Sequence, residues 1–199
     1  KLAAQGIRFT DAHTPSSVCT PTRYGLLTGR YAWRTRLKNG VQDGFDPPLI
    51  EKGRLTLASM LKQHGYATGC FGKWHLGMNW TRKDGTPMPL RTEGGFRAGD
   101  EIDYTKAATD GVNAAGFDEY FGISASLDMP PYCFLENGRP TRPATGRSAR
   151  NMTLFMNQPE GVTCEGFRLE DVIPAITKRA VSFIERNSAK PFFIYRSEE

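Results

Sequence analysis

Gly65-Tyr66-Ala67-Thr68-Gly69-Cys70-Phe71-Gly72-Lys73-Trp74-His75-Leu76-Gly77 decides how this chain folds, because it takes a helix end into a strand and then into a polar turn. Upstream, Thr56 is placed to cap a helix whose apolar positions Leu57, Met60 and Leu61 keep helical spacing, and Gly65 stops it. Tyr66 to Phe71 reads as a short strand entering a sheet. If the extended conformation persists, Lys73 and His75 project from one side and Trp74 from the other, into packing. The same alternation returns near the end of the chain. Asp171 can cap a helix bearing Ile173, Ile176, Ala180, Phe183 and Ile184 on one face, with Pro174 tolerated in its first turn, and Pro191 to Tyr195 follows as a buried strand. At the start, Lys1 lies in the tail of an amphipathic helix stopped by Gly6, with Ile7 to Thr10 as the next strand. Strands alternating with helices predict an α/β sandwich: a mostly parallel central sheet with flanking helices.

The 199 residues, 39% hydrophobic and 24% charged, describe one globular domain with no run long enough to span a bilayer. Residues 79–113 and 139–158 lack periodicity and read as long surface loops; Tyr132 to Arg139 carries an Asn-Gly hairpin turn. The formal charge is +5, and Arg30, Arg34, Arg36 and Lys38 cluster together; a polyanionic substrate would suit them, but a solvated basic face is the default reading. No nucleic-acid-binding motif accompanies these cations, so a nucleic-acid partner is not expected. Cys19, Cys70, Cys133 and Cys164 form no metal-binding spacing, and Cys70, in a strand, reads as a buried thiol.

Chemistry concentrates in Ser17-Val18-Cys19-Thr20-Pro21-Thr22-Arg23, continued by Tyr24 to Arg30. Pro21 suits a first helical turn, Ser17, Thr20 and Thr22 are possible caps, and Thr22 to Leu27 reads as the opening of a short helix ended by Gly29. A group at Cys19 then sits where backbone N–H groups and the helix dipole favour an anion. Arg23, about one turn on, can reach the same place with donors suited to sulfate or carboxylate.

The Cys-x-Pro-Thr-Arg run with Thr28-Gly29-Arg30 resembles the signature of the type I, formylglycine-dependent sulfatases, and the Gly72-Lys73-Trp74-His75 segment resembles their second signature. Gly116-Phe117-Asp118-Glu119-Tyr120-Phe121-Gly122 is similar to a third segment of that family. The resemblance implies an alkaline-phosphatase-like fold, with residues 1–199 forming part of an N-terminal catalytic domain truncated at both ends. It implies that Cys19 is oxidised by a formylglycine-generating enzyme, leaving three cysteines and at most one internal disulfide. The hydrated aldehyde attacks the sulfur of a sulfate monoester and the alcohol departs; deprotonation of the second hydroxyl then expels the sulfate. Arg23, Lys73 and Ser126 are implied as sulfate contacts and His75 as the proton-transfer group. Asp128 either faces substrate or starts the turn before Pro130-Pro131; His64 sits at a helix end, and His13 has no assigned role.

Calcium is the implied ion, with oxidised Cys19 as its one transferable ligand. The implied substrate is a sulfated small molecule or carbohydrate, and the implied location periplasmic, secreted or lysosomal. The family's acidic metal ligands are not recognisable in the chain, so the isolated 199 residues are expected to turn over little. The alternatives are a phosphomonoester or phosphonate hydrolase of the same superfold and a non-catalytic anion-binding remnant.

Overall fold

A computed structural model describes residues 2–89, 99–152 and 157–197. In chain order it contains α1 (Leu2–Gln5), α2 (Cys19–Thr28), α3 (Leu57–Gln63), β1 (Ala67–Lys73), β2 (Glu119–Ile123), β3 (Leu135–Glu136) and β4 (Arg139–Pro140). Four short strands follow, β5 (Gly146–Ser148), β6 (Asn151–Met152), β7 (Asn157–Gln158) and β8 (Gly161–Thr163), then α4 (Val172–Asn187) and β9 (Phe192–Ser197).

The main sheet has the order β4-β3-β2-β1-β9. Its centre is parallel: β1 pairs with β2 through Cys70↔Tyr120 and with β9 through Cys70↔Tyr195. The β3–β4 hairpin adds an antiparallel edge, turning through Asn137 and Gly138, both at positive φ. The expected mostly parallel sheet with flanking helices is therefore present, in mixed form.

Alternation along β1 sorts its side chains into two cores. Cys70 packs with Tyr24 and Leu27 of α2, Ala58 of α3, Trp74 and Tyr120 on one face. Phe71 packs on the other face with Phe121, Ile123 and the α4 residues Val172, Ile176, Ala180 and Phe183; the Phe71 and Phe183 rings lie 5.5 Å apart. Each large apolar side chain buried this way contributes about 1.5–3 kcal/mol, so β1 is anchored from both sides. Two glycines let the strand ends approach. A Cβ on Gly72, at φ +119°, would lie 2.0 Å from the Ser197 carbonyl oxygen, and one on Gly122 would lie 1.8 Å from the Gly72 oxygen.

Several expectations need correction. Met60 and Ile184 are exposed, at 37% and 41%, and Ala58 is the buried residue of α3. Helix spacing locates an apolar stripe, but the width of the contact decides which members are covered. Ile7 to Thr10 is not a strand, and Ile7 and Phe9 are 82% and 74% exposed; among the described residues no strand lies beside it to take its backbone hydrogen bonds. The segment 79–113 is more than surface loop: Trp80, Ile102 and Val112 are buried, held by isolated bridges such as Asn79↔Thr109. Within 139–158, residues expected as loop form β5 to β7, pairing as β5–β8 and β6–β7. Cys133 and Cys164 form one disulfide, within the expected limit, and Cys70 is a buried free thiol whose pKa burial pushes up.

Candidate active site

The site lies at the carboxyl ends of β1, β2 and β9, where parallel α/β sheets hold their ligands. Helix α2 begins at Cys19, three residues earlier than the sequence predicts. Its N-cap is Val18, which has no side chain to accept a hydrogen bond, so the expected caps Ser17, Thr20 and Thr22 do not fill that role. Thr22 instead donates through Oγ1 to the Ser16 carbonyl at 2.8 Å, bracing the approach to the helix. First-turn N–H groups left without a cap side chain favour an anion beside Cys19. Cys19 is partly exposed, in contrast to Cys70 inside the sheet, which leaves Cys19 the cysteine open to chemistry.

Arg23, one turn further, points to the strand ends. Nη1 donates to the Lys73 carbonyl at 2.5 Å and lies 3.4 Å from the Tyr195 hydroxyl, while Nη2 donates to Ser197 Oγ. The guanidinium also lies over the Tyr195 ring, 6.0 Å from its centroid. Arg23 thus ties α2 to the ends of β1 and β9, a structural duty the sequence does not reveal.

Lys73 is the last residue of β1 and is 4% exposed; its Nζ donates to Ser126 Oγ at 2.6 Å. Ser126 follows β2, so the parallel β1–β2 pairing brings these two predicted residues together. His75 arrives differently from the prediction. The strand ends at Lys73, and His75 adopts φ 56°, a left-handed conformation uncommon without glycine, so two-residue alternation does not carry through it. Its N–H bonds to the Ser124 carbonyl at 2.9 Å, continuing the pairing with the chain beyond β2. Its ring is buried, with Nε2 2.7 Å from the Gln42 carbonyl oxygen. Trp74 does pack away from the site, against Phe117 at 6.4 Å.

Other expected groups fall outside this cluster. Asp128 is exposed in the turn after Ser126, His13 pairs with Asp11 at 2.7 Å, and His64 is the C-cap of α3. The basic cluster is partly structural: Arg30 pairs with Glu51 at 3.2 Å, and Arg36 donates to the Pro47 and Pro48 carbonyls. Residues that sequence reasoning passed over include Gln42, Tyr195 and Ser197, each far along the chain from its partner.

No three His, Cys, Asp or Glu side chains converge on a possible cation position among the described residues. Asp43 and Asp46, near His75 through Gln42, accept backbone bonds from Gly44 and Asp43 respectively, and burial, with Asp46 close by, pushes the Asp43 carboxyl up. The donor set of the described residues does not by itself make a calcium cage.

A cavity of about 170 Å³ opens beside the start of α2, lined by Ser16, Val18, Pro21, Trp33, Lys38 and Gly40. A larger cavity of about 670 Å³ lies against Trp74 and Leu76, and Cys19, Arg23, Lys73, His75 and Ser126 line neither of the two.

The sulfatase family model matches residues 1–197. The chain is similar to an N-acetylgalactosamine-6-O-sulfatase of Bacteroides thetaiotaomicron, with 32% identity covering 98% of this chain and 41% of that protein. It is similar to arylsulfatase G of Canis lupus familiaris, with 31% identity covering 98% of this chain and 34% of the relative. A solved structure concerned with metabolism of multiple glycosaminoglycans by Bacteroides thetaiotaomicron superposes with a TM-score of 0.73 at 30% identity, covering 98% of this chain and 44% of the other. The chain therefore spans less than half the length of these relatives. With the fold, the Cys19 helix and the family match in agreement, the chain belongs to the sulfatase family.

Proposed function

We propose that this chain forms part of the catalytic domain of a sulfuric ester hydrolase whose nucleophile derives from Cys19. One observation carries the reading. The uncapped start of α2, with Cys19 as its first residue, is bonded through its neighbours to the very segment that supplies Lys73 and His75: Thr20 to the His75 carbonyl and Arg23 to the Lys73 carbonyl. Oxidised to formylglycine, Cys19 supplies a hydrated aldehyde, an oxygen nucleophile that can afterwards release sulfate by re-forming the carbonyl.

The remaining work falls to side chains with defined positions. Lys73 offers a buried ammonium to sulfate oxygens, with Ser126 beside it as a second polar contact. The first-turn N–H groups of α2 add a fixed positive potential that needs no reorganisation during reaction. Arg23 adds charge and holds the strand ends in register with the helix. His75 moves the proton that the attacking and departing oxygens exchange. The family also implies calcium, for which the oxygen derived from Cys19 is the ligand offered among the described residues.

The substrate is a sulfated carbohydrate or a sulfated small molecule, whose alcohol portion would leave the site past the start of α2, where Trp33 and Lys38 line a small cavity. Maturation by a formylglycine-generating enzyme and a periplasmic, secreted or lysosomal location complete the reading. The Cys133–Cys164 disulfide supports an oxidising compartment, and among the described residues no helix is long and apolar enough to cross a membrane.

Hydrolysis of paired aryl sulfate and aryl phosphate esters by the full-length protein tests the proposal. A preference for sulfate is expected; a preference for phosphate would replace it with the phosphomonoester hydrolase reading, since both anions fit one tetrahedral cradle.

A further inference from the structure

We propose that Thr20 and the backbone of Gln42 are positioning groups that fix the tautomer of His75, keeping a proton on Nε2 and assigning Nδ1 the proton transfer of turnover. The inference rests on the sulfatase reading only for His75's place in the reaction; the tautomer itself stands on geometry. A carbonyl oxygen cannot donate, so the 2.7 Å contact between His75 Nε2 and the Gln42 oxygen requires Nε2 to carry hydrogen. Nδ1 is then the ring nitrogen that can gain or lose a proton without breaking that bond.

The residue that carries the accepting carbonyl is held at two points. The Gln42 N–H donates to Thr20 Oγ1 at 3.2 Å, and its side-chain Nε2 donates to the Pro47 carbonyl at 2.9 Å. The Thr20 hydroxyl in turn donates to the His75 carbonyl at 3.1 Å. Thr20 to His75 backbone, His75 ring to Gln42, and Gln42 back to Thr20 therefore form a closed circuit of three hydrogen bonds. Thr20, Gln42 and His75 are 0%, 2% and 1% exposed, so water has no ready route to replace a lost member. Thr20 directly follows Cys19, and the circuit registers the nucleophile's helix against the imidazole. A single hydroxyl does both jobs here, accepting from one chain segment and donating to another. Valine fills the same volume and can do neither.

The test uses the full-length protein labelled with ¹⁵N-histidine, with His75→Ala to identify the His75 signals. At a pH where the ring is neutral, Nε2 is expected to show the N–H shift and Nδ1 the lone-pair shift; the opposite pattern overturns the proposal. Thr20→Val is expected to mix the two tautomers and to lower kcat roughly tenfold with KM within about twofold, the loss of a buried hydrogen-bond partner expressed as rate. Thr20→Ser is expected to restore both readouts. A Thr20→Val protein with the parent's tautomer ratio and kcat, or a Thr20→Ser protein as impaired as Thr20→Val, also overturns it. The spectra need no turnover and include the parent, so a parent that leaves sulfate esters intact would refute the sulfatase reading while the shifts still decide the circuit.

Discussion

Arg23→Lys keeps the positive charge and removes the fork that joins α2 to the ends of β1 and β9. In the parent, the guanidinium donates to the Lys73 carbonyl through one terminal nitrogen and to Ser197 through the other, with the Tyr195 ring beneath. A lysine can reach one of these acceptors but not both, because its ammonium is a single point on a flexible stem. Hydrogen bonds to charged groups contribute about 1.5–3 kcal/mol each, so losing one at this half-buried position is expected to cost about 2 kcal/mol. For a chain of this size that lowers Tm by about 4–8 °C. Thermal unfolding followed by circular dichroism at neutral pH measures it, and urea titration should show a lower midpoint with an unchanged slope. If Arg23 served only to touch substrate, the unliganded Tm would not move. A Tm within about 1 °C of the parent would refute the structural duty assigned to this arginine.

Replacing Cys133 and Cys164 together by alanine opens a loop with a sequence separation of 31. Loop entropy predicts a loss of about 3.5 kcal/mol and a Tm lower by about 10 °C, and calorimetry showing no loss would contradict it. Asp118 is held below the ordinary carboxylate range: burial raises its pKa, but Lys62 at 2.6 Å and the Thr68 backbone and hydroxyl donors outweigh that. Its stabilisation is therefore present above the unfolded value of about 3.9 and lost as pH falls through the lower folded value. Parent and Asp118→Asn melting curves should separate at pH 7 and converge in acid; a gap that persists at the lowest pH would contradict the assignment. Ser126→Ala leaves the Lys73 ammonium without its 2.6 Å acceptor. We expect KM for a sulfate ester to rise about fivefold, equivalent to one ordinary hydrogen bond, and an unchanged KM would remove Ser126 from the site.

The parts of this fold legible in sequence are those fixed by near neighbours. Thr56 caps α3 by accepting from the Ser59 N–H at 3.0 Å, β1 follows where the β-prone run begins, and Asn137-Gly138 turns the β3–β4 hairpin. The failures share one cause, dependence on distant residues. Ile7 to Thr10 has a strand's composition, but a strand needs a neighbour. His75 follows an alternating pattern, yet its backbone turns left-handed to bond Ser124 and present its ring to Gln42, 33 residues away. At the site, the identities of Cys19, Lys73 and His75 were visible as motifs. The partners of His75 and Arg23, Gln42 and Ser197, lie far along the chain and carry no local signal, and Thr20 stands inside the Cys19 motif without showing there that it reaches His75 and Gln42.

The central claim is that an oxygen nucleophile made from Cys19 hydrolyses a sulfate ester. The most direct measurement compares full-length parent and Cys19→Ala proteins, each produced with a formylglycine-generating enzyme, on an aryl sulfate. The parent is expected to turn over and the variant to lose at least about a thousandfold in kcat, as when a covalent nucleophile is removed. Equal turnover by the alanine variant would contradict the account.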